Sequence, residues 1–132
     1  MTQRQLASEI DALSHQVIGA AIEVHRHLGP GLLENAYVQC LAVELEERGL
    51  RVAKEVGLPL RYKSLLVENA YRLDLLVENC LLIEAKATEQ LLPVHSAQVL
   101  TYLKLTGLRL GLLMNFNCEV MRQGIKRVVN GL

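Results

Sequence analysis

The chain has 132 residues, 51% of them hydrophobic but 4% aromatic and none tryptophan, and its 14 Lys+Arg balance 14 Asp+Glu to a formal charge of +0. That length suits one domain, residues 1–132, able to bury a core without disulfides or a structural metal. Neutrality excludes a nonspecific nucleic-acid binder working through a global basic field; such binding would need a local cluster, bound cations or a partner.

From Leu6 to Leu28, apolar residues at steps of three and four (Leu6, Ile10, Leu13, Val17, Ala20, Ala21, Val24, Leu28) predict an amphipathic helix ending at Gly29-Pro30-Gly31. A second helix follows, with Leu33, Tyr37, Leu41 and Leu45 at i+4 spacing and Gly49 in the position that closes a helix. The period then shortens. Val52, Val56, Leu58, Leu60 and Tyr62 suggest a strand, in which Pro59 calls for an edge or a bulge. After a turn at Lys63-Ser64, Leu65, Val67, Tyr71, Leu73, Leu75 and Val77 alternate with polar residues, including Glu68, Arg72, Asp74 and Glu78. Asn79-Cys80 turns the chain into a third strand, Leu81 to Ala87, which completes a meander. Pro93 opens a third helix that stops near Gly107, and the nearly all-apolar run Leu108–Phe116 predicts a strand buried on both faces. The tail, Glu119 to Leu132, is expected to add a last edge strand. The order is α-α-β-β-β-α-β plus a small terminal element.

The aliphatic excess (mean hydropathy +0.22) has two outlets, a sheet covered on both faces and a surface buried in a homodimer. Cys40, Cys80 and Cys118 form no CxxC pair and read as buried apolar residues of a reducing compartment. No signal-peptide core and no run of about 18 uncharged apolar residues is present, so a cytoplasmic protein with no membrane span is expected.

Three polar groups interrupt otherwise apolar strands. In Leu82-Ile83-Glu84-Ala85-Lys86, alternation puts Glu84 and Lys86 on one face and Leu81, Ile83 and Ala85 on the other. Hairpin pairing through Asn79-Cys80 brings Asp74 near the position opposite Glu84. Two carboxylates across adjacent strands repel unless something positive lies between them. A divalent cation would satisfy both.

Asp74 with Glu84-Ala85-Lys86 resembles the D…ExK signature of the PD-(D/E)XK nuclease superfamily. Gly31-Leu32-Leu33-Glu34-Asn35-Ala36-Tyr37 is similar to the motif of the small GxxExxY proteins within it. Tyr71–Val77, Gln98–Lys104 and Gly111–Phe116 extend the resemblance over about Ile18 to Val129. It implies an α/β fold with the restriction-endonuclease-like αβββαβ core, a mixed central sheet flanked by helices, preceded here by an extra N-terminal helix. It further implies a Mg²⁺ (or Mn²⁺) site made by Asp74, Glu84 and the carbonyl of Ala85, with Glu34 reaching the metal from the other side. Lys86 would orient or help deprotonate the attacking water. Gln98 would hold the site or the scissile phosphate, and Tyr37 would support Glu34. Arg72-Leu73 precede the aspartate where the nominal signature has proline, a departure common among divergent members.

Each residue also has a plainer reading. Asp74, Glu84 and Lys86 could form a solvated strand face with a surface ion pair. Glu34 is also a first-turn carboxylate that favours the helix dipole, and Gln98 an exposed helix position. His25 and His27, two apart on a helix, do not share a face for chelation; His95 reads as a helix cap. Arg122, Lys126 and Arg127 read as charge protecting an edge strand. The leading expectation is a metal-dependent nuclease acting on DNA or RNA. The alternative is a catalytically idle nuclease-fold module for nucleic-acid binding or protein assembly, and a metabolic enzyme on the same scaffold stays open because fold does not fix function.

Overall fold

The computed structural model describes residues 2–132. Its elements are α1 (Gln3–Leu28), α2 (Glu34–Glu47), β1 (Val52–Tyr62), β2 (Leu65–Val77), β3 (Leu81–Lys86), α3 (Pro93–Thr106), β4 (Leu110–Asn115), a 3₁₀ turn (Met121–Gly124) and β5 (Ile125–Val129). The strands form one sheet in the order β1-β2-β3-β4-β5. Pairing is antiparallel except between β3 and β4, which are parallel and linked through α3. A parallel pair needs such a crossover, since no tight turn can join two strands running the same way. Among the described residues, no helix is long and apolar enough to cross a membrane.

Two cores lie on opposite faces of the sheet. The first joins α1 and α2 to the sheet through Val17, Ala21, Tyr37, Leu41, Leu81 and Ile83. The second packs α3 on the other face through Leu82, Val99, Leu103 and Leu113. Alternation along β3 thus sends Leu81, Ile83 and Ala85 to the first core and Leu82 to the second. All six residues of β4 are buried, as its nearly all-apolar run predicts. At Gly111 a Cβ would come within 2.7 Å of Val99 Cγ1, so glycine is what lets α3 approach β4 this closely.

Local chemistry accounts for the helix ends. Thr2 and Gln5 form a reciprocal cap on α1, with each backbone N–H donating to the other's side chain. Gly29 (φ 67°) and Gly31 (φ 100°) turn the chain towards α2 in a backbone region that strains other residues. At α3, His95 Nδ1 accepts from the Leu92 N–H at 3.0 Å, the expected cap. Arg127 does more than shield an edge. It donates to Ser14 Oγ (2.9 Å) and lies 3.5 Å from Asp11, tying β5 to α1.

The fully buried Tyr37 fixes the α1–α2 connection: its hydroxyl donates to the Gly29 carbonyl (2.5 Å) and accepts from the Leu32 N–H (3.2 Å), while its ring stacks on Phe116 at 4.5 Å. Tyr37 thus clamps the loop that leads into α2. Tyr37→Phe keeps the stacking and loses both hydrogen bonds. The expected cost is about 1–3 kcal/mol, read as a lower melting temperature with unchanged far-ultraviolet circular dichroism; an unchanged melting temperature would refute the clamp.

Two expectations need correction. Cys40 is exposed on the outer face of α2, and Cys80 and Cys118 are only partly buried, because a helix turns some apolar residues outward whatever their type. The two-faced pattern read for β2 also changes sides. Leu75 and Val77 enter the first core, whereas Leu73 enters the second, joined by Val56, Leu58 and Tyr71. The reversal falls at Asp74, between the Lys54↔Leu75 and Val56↔Leu73 pairs, where Glu55 of β1 has a φ of 52°. Farther out the register shifts between Leu58 and Leu60, at Pro59, while Asn69 adopts a φ of 53°. Arg61 to Asn69 are all exposed, so the hairpin ends as an arm beyond both cores.

Candidate active site

The β2–β3 ladder comprises Leu75↔Ile83, Leu76↔Leu82 and Val77↔Leu81 and stops one position short of Asp74 and Glu84. Carrying the register one step further puts those two acids opposite each other. In place of the next rung, Asp74 Oδ2 accepts the Ala85 N–H at 2.8 Å. A strand residue's N–H and C=O point to the same edge, so the Ala85 carbonyl also faces the gap where β2 departs.

Glu84 follows Leu82 onto the α3 side of β3 and is 5% exposed. Its Oε2 lies 3.7 Å from Lys86 Nζ, while its buried Oε1 has no hydrogen-bond partner. Burial, then the charge of Asp74 and a proton shared with it, push the Glu84 carboxyl up to about 8; Lys86 opposes the shift without cancelling it. Tyr102 of α3 feels the same charges: burial raises its hydroxyl pKa, with Glu84 and Asp74 adding to the effect and Gln98 offsetting part of it. The exit from β3 is held by buried Asn115, whose side chain accepts from Thr88 N–H (3.1 Å) and donates to Thr88 O (2.9 Å).

Asp74 also lines a cleft of about 190 Å³ with Glu34, Asn35, Val38, Glu55 and Arg72. Three carboxylates there face one guanidinium. Glu34 is exposed in the first turn of α2 and stands across the cleft from the β-strand acids. Asp74, Glu84 and Lys86 thus come together, Glu34 shares only the outer cleft with Asp74, and Gln98 sits half-buried beside Tyr102 on α3. Around Gln98 on α3, Val94, Thr101 and Leu105 are exposed and Tyr102 is buried. Among the described residues, no group of three His, Cys, Asp or Glu side chains is close enough to hold a metal. The donors that do converge are two carboxylates and a carbonyl edge, with one buried carboxylate oxygen lacking any partner. These hard oxygens fit Mg²⁺ or Mn²⁺, and a dication would relieve both the repulsion and the orphaned atom.

Glu55 and Arg72 of the cleft, and Tyr102 behind it, were not singled out by the sequence. Arg72 had a usable signal, as it lies two residues from Asp74 on a strand. Tyr102 had one too, one helical turn after Gln98. Glu55 had none, because its placement depends on the backbone break in β1.

Neither a curated protein nor a solved structure gives a significant match to the chain. A family-wide sequence pattern described as the PD-(D/E)XK nuclease superfamily matches residues 11–128. That span includes most of α1, all of α2, strands β1 to β4, nearly all of β5 and every acid of the candidate site. The mixed sheet with helices on both faces is consistent with that superfamily's fold, and the chain belongs to the PD-(D/E)XK nuclease superfamily.

Proposed function

We propose that the protein is a metal-dependent nuclease that hydrolyses phosphodiester bonds of nucleic acid. The observation that carries this reading is the buried, unpartnered Glu84 Oε1 beside Asp74, with Lys86 3.7 Å from the other Glu84 oxygen. Asp74, Glu84 and the Ala85 carbonyl would hold Mg²⁺ or Mn²⁺, and Glu34 would approach from the outer cleft through water. Bound there, the dication would supply Lewis-acid activation of water and neutralise charge on the phosphate.

The chain's own residues have distinct tasks. Asp74 and Glu84 must both be ionised to act as hard donors. Lys86, held beside Glu84, orients the nucleophilic water and stabilises charge that develops at phosphorus. Gln98, with Tyr102 behind it, holds the substrate side of β3 against α3. Arg72, on the cleft wall next to Asp74, offers a planar donor to a phosphate oxygen.

Purified protein incubated with supercoiled, linear and single-stranded DNA and with RNA should cleave at least one of them with Mg²⁺ or Mn²⁺, and none with EDTA. Absence of cleavage at high protein concentration, together with a melting temperature indifferent to Mg²⁺, would instead support an idle nuclease-fold module.

A further inference from the structure

The tip of the β1–β2 arm is not used by the site, yet it belongs to the same strand β2 as Asp74, joined through the bulge at Asn69. At the tip, Tyr62↔Leu65 and Leu60↔Val67 pair across the hairpin and present one apolar face; Arg61↔Leu66 pair on the other. Tyr62 is 62%, Leu65 58%, Leu66 45% and Val67 37% exposed. Large apolar side chains so far from either core do not stabilise the fold; Tyr62, Leu65 and Val67 share one exposed face, with Leu66 on the reverse of the tip, and such a patch marks a binding surface. Its charge leans positive: Arg61 and Lys63 flank the tip, with Glu68 the one acid of the arm Arg61–Asn69, whereas the whole chain is neutral. Lys63 Nζ lies 5.4 Å from the centre of the Tyr62 ring, so cation and aromatic face occupy one spot.

We infer that this arm engages nucleic acid at unpaired bases, the aromatic and aliphatic tip packing on exposed base faces while Arg61 and Lys63 meet the flanking phosphates. The chemistry of the ligand rests on the nuclease reading of the site. A second copy of the chain fits the tip less well. Two tips meeting about a two-fold axis would bring Arg61 and Lys63 against their own copies, and Pro59 removes an N–H from edge strand β1, which weakens strand addition there. A duplex hides its base faces in the stack, so an apolar tip is useful where bases are exposed: single strands, tails or junctions. Along β1 five residue steps separate Leu60, the partner of Val67, from Glu55 opposite Asp74, about 17 Å at about 3.3 Å per residue; β2 covers the same span with two extra residues at its bulge. That distance matches roughly five base-pair steps of about 3.4 Å, so the proposed substrate carries its unpaired bases within about half a helical turn of the bond to be cut.

The test uses full-length protein carrying Lys86→Ala, so that binding is read without cleavage. Fluorescence anisotropy with labelled single strands, blunt duplexes and duplexes with a single-stranded tail, each as DNA and as RNA, compares this parent with a Tyr62→Ser/Leu65→Ser/Leu66→Ser tip. Because these side chains are exposed, folding should persist, and circular dichroism checks it. The tip variant should lose about tenfold in affinity for single-stranded and tailed substrates and about twofold or less for blunt duplex. Arg61→Gln/Lys63→Gln should weaken all substrates and flatten the salt dependence. Unchanged affinity of the tip variant, equal loss on blunt and tailed duplexes, or a dimer that falls to monomer with binding intact would each overturn the inference; the last would assign the tip to a second copy. Tip-dependent binding by a wild-type chain that never cleaves would sink the nuclease reading alone, and cleavage with tip-independent binding would sink this one alone.

Discussion

Asp74→Ala and Lys86→Ala are each expected to lower Mg²⁺-dependent cleavage by on the order of 10³-fold, but with different physical signatures. Asp74 is a proposed metal ligand and also the acceptor for the Ala85 N–H at 2.8 Å. Its removal should abolish the rise in melting temperature produced by Mg²⁺ and lower the metal-free melting temperature as well, since a buried donor loses its partner at about 1–3 kcal/mol. Lys86 holds no metal. Lys86→Ala should therefore retain the Mg²⁺ response while losing turnover. Cleavage that persists in either variant at wild-type levels would assign the activity to another site or a contaminant. Loss of the Mg²⁺ response in Lys86→Ala alone would overturn the division of roles between acids and amine.

Glu84 is expected to make the metal-free protein lose stability as pH rises. An ordinary glutamate titrates near 4.5, and burial beside Asp74 moves Glu84 to about 8. Between those values the folded chain retains a proton that the unfolded chain has released. The stabilisation is fully present below pH 4.5 and is lost as pH climbs through about 8. Each pKa unit corresponds to about 1.4 kcal/mol, so a total of a few kcal/mol is at stake, or roughly 10 °C in melting temperature for a chain of this size. In EDTA the wild type should lose about that much between about pH 5 and pH 8 relative to Glu84→Gln, whose neutral amide cannot titrate. Mg²⁺ at pH 8 should restore the wild type and leave Glu84→Gln unmoved. Identical pH profiles for the two proteins in EDTA would remove the physical basis of the site.

How much of this was legible from the residues alone follows from the range of each signal. Helices and strands were readable because their periods are local: Leu13, Val17, Ala21 and Val24 mark the buried stripe of α1, and the nearly all-apolar β4 announces burial on both faces. Pro59 was readable as an edge or bulge position because a missing N–H admits few alternatives. The meeting of Asp74 with Glu84 was readable from a short hairpin register. What could not be read was the reversal at Asp74, which sends Leu73 and Leu75 to opposite cores. Strand alternation assumes an unbroken pleat, and the positive φ of Glu55 violates it without any glycine to give warning. The outer cleft was equally hidden, because Glu55 and Arg72 face Glu34 only through packing between the long hairpin and α2. Cys40 shows the reverse error, in which residue type was allowed to stand for position on a helix.

The three-rung ladder between β2 and β3 has a further consequence. So few rungs hold alignment weakly, and a slip by one residue would exchange the faces of Leu82 and Ile83. The Asp74–Ala85 bond acts as a stop against that slip, so the acid proposed to hold the metal also keeps the sheet in frame. Asparagine at 74 would preserve the acceptor while discarding the charge. Loss of catalysis and loss of alignment are thus separable at this position, and a lineage abandoning the reaction could do so by one amide substitution with its architecture intact.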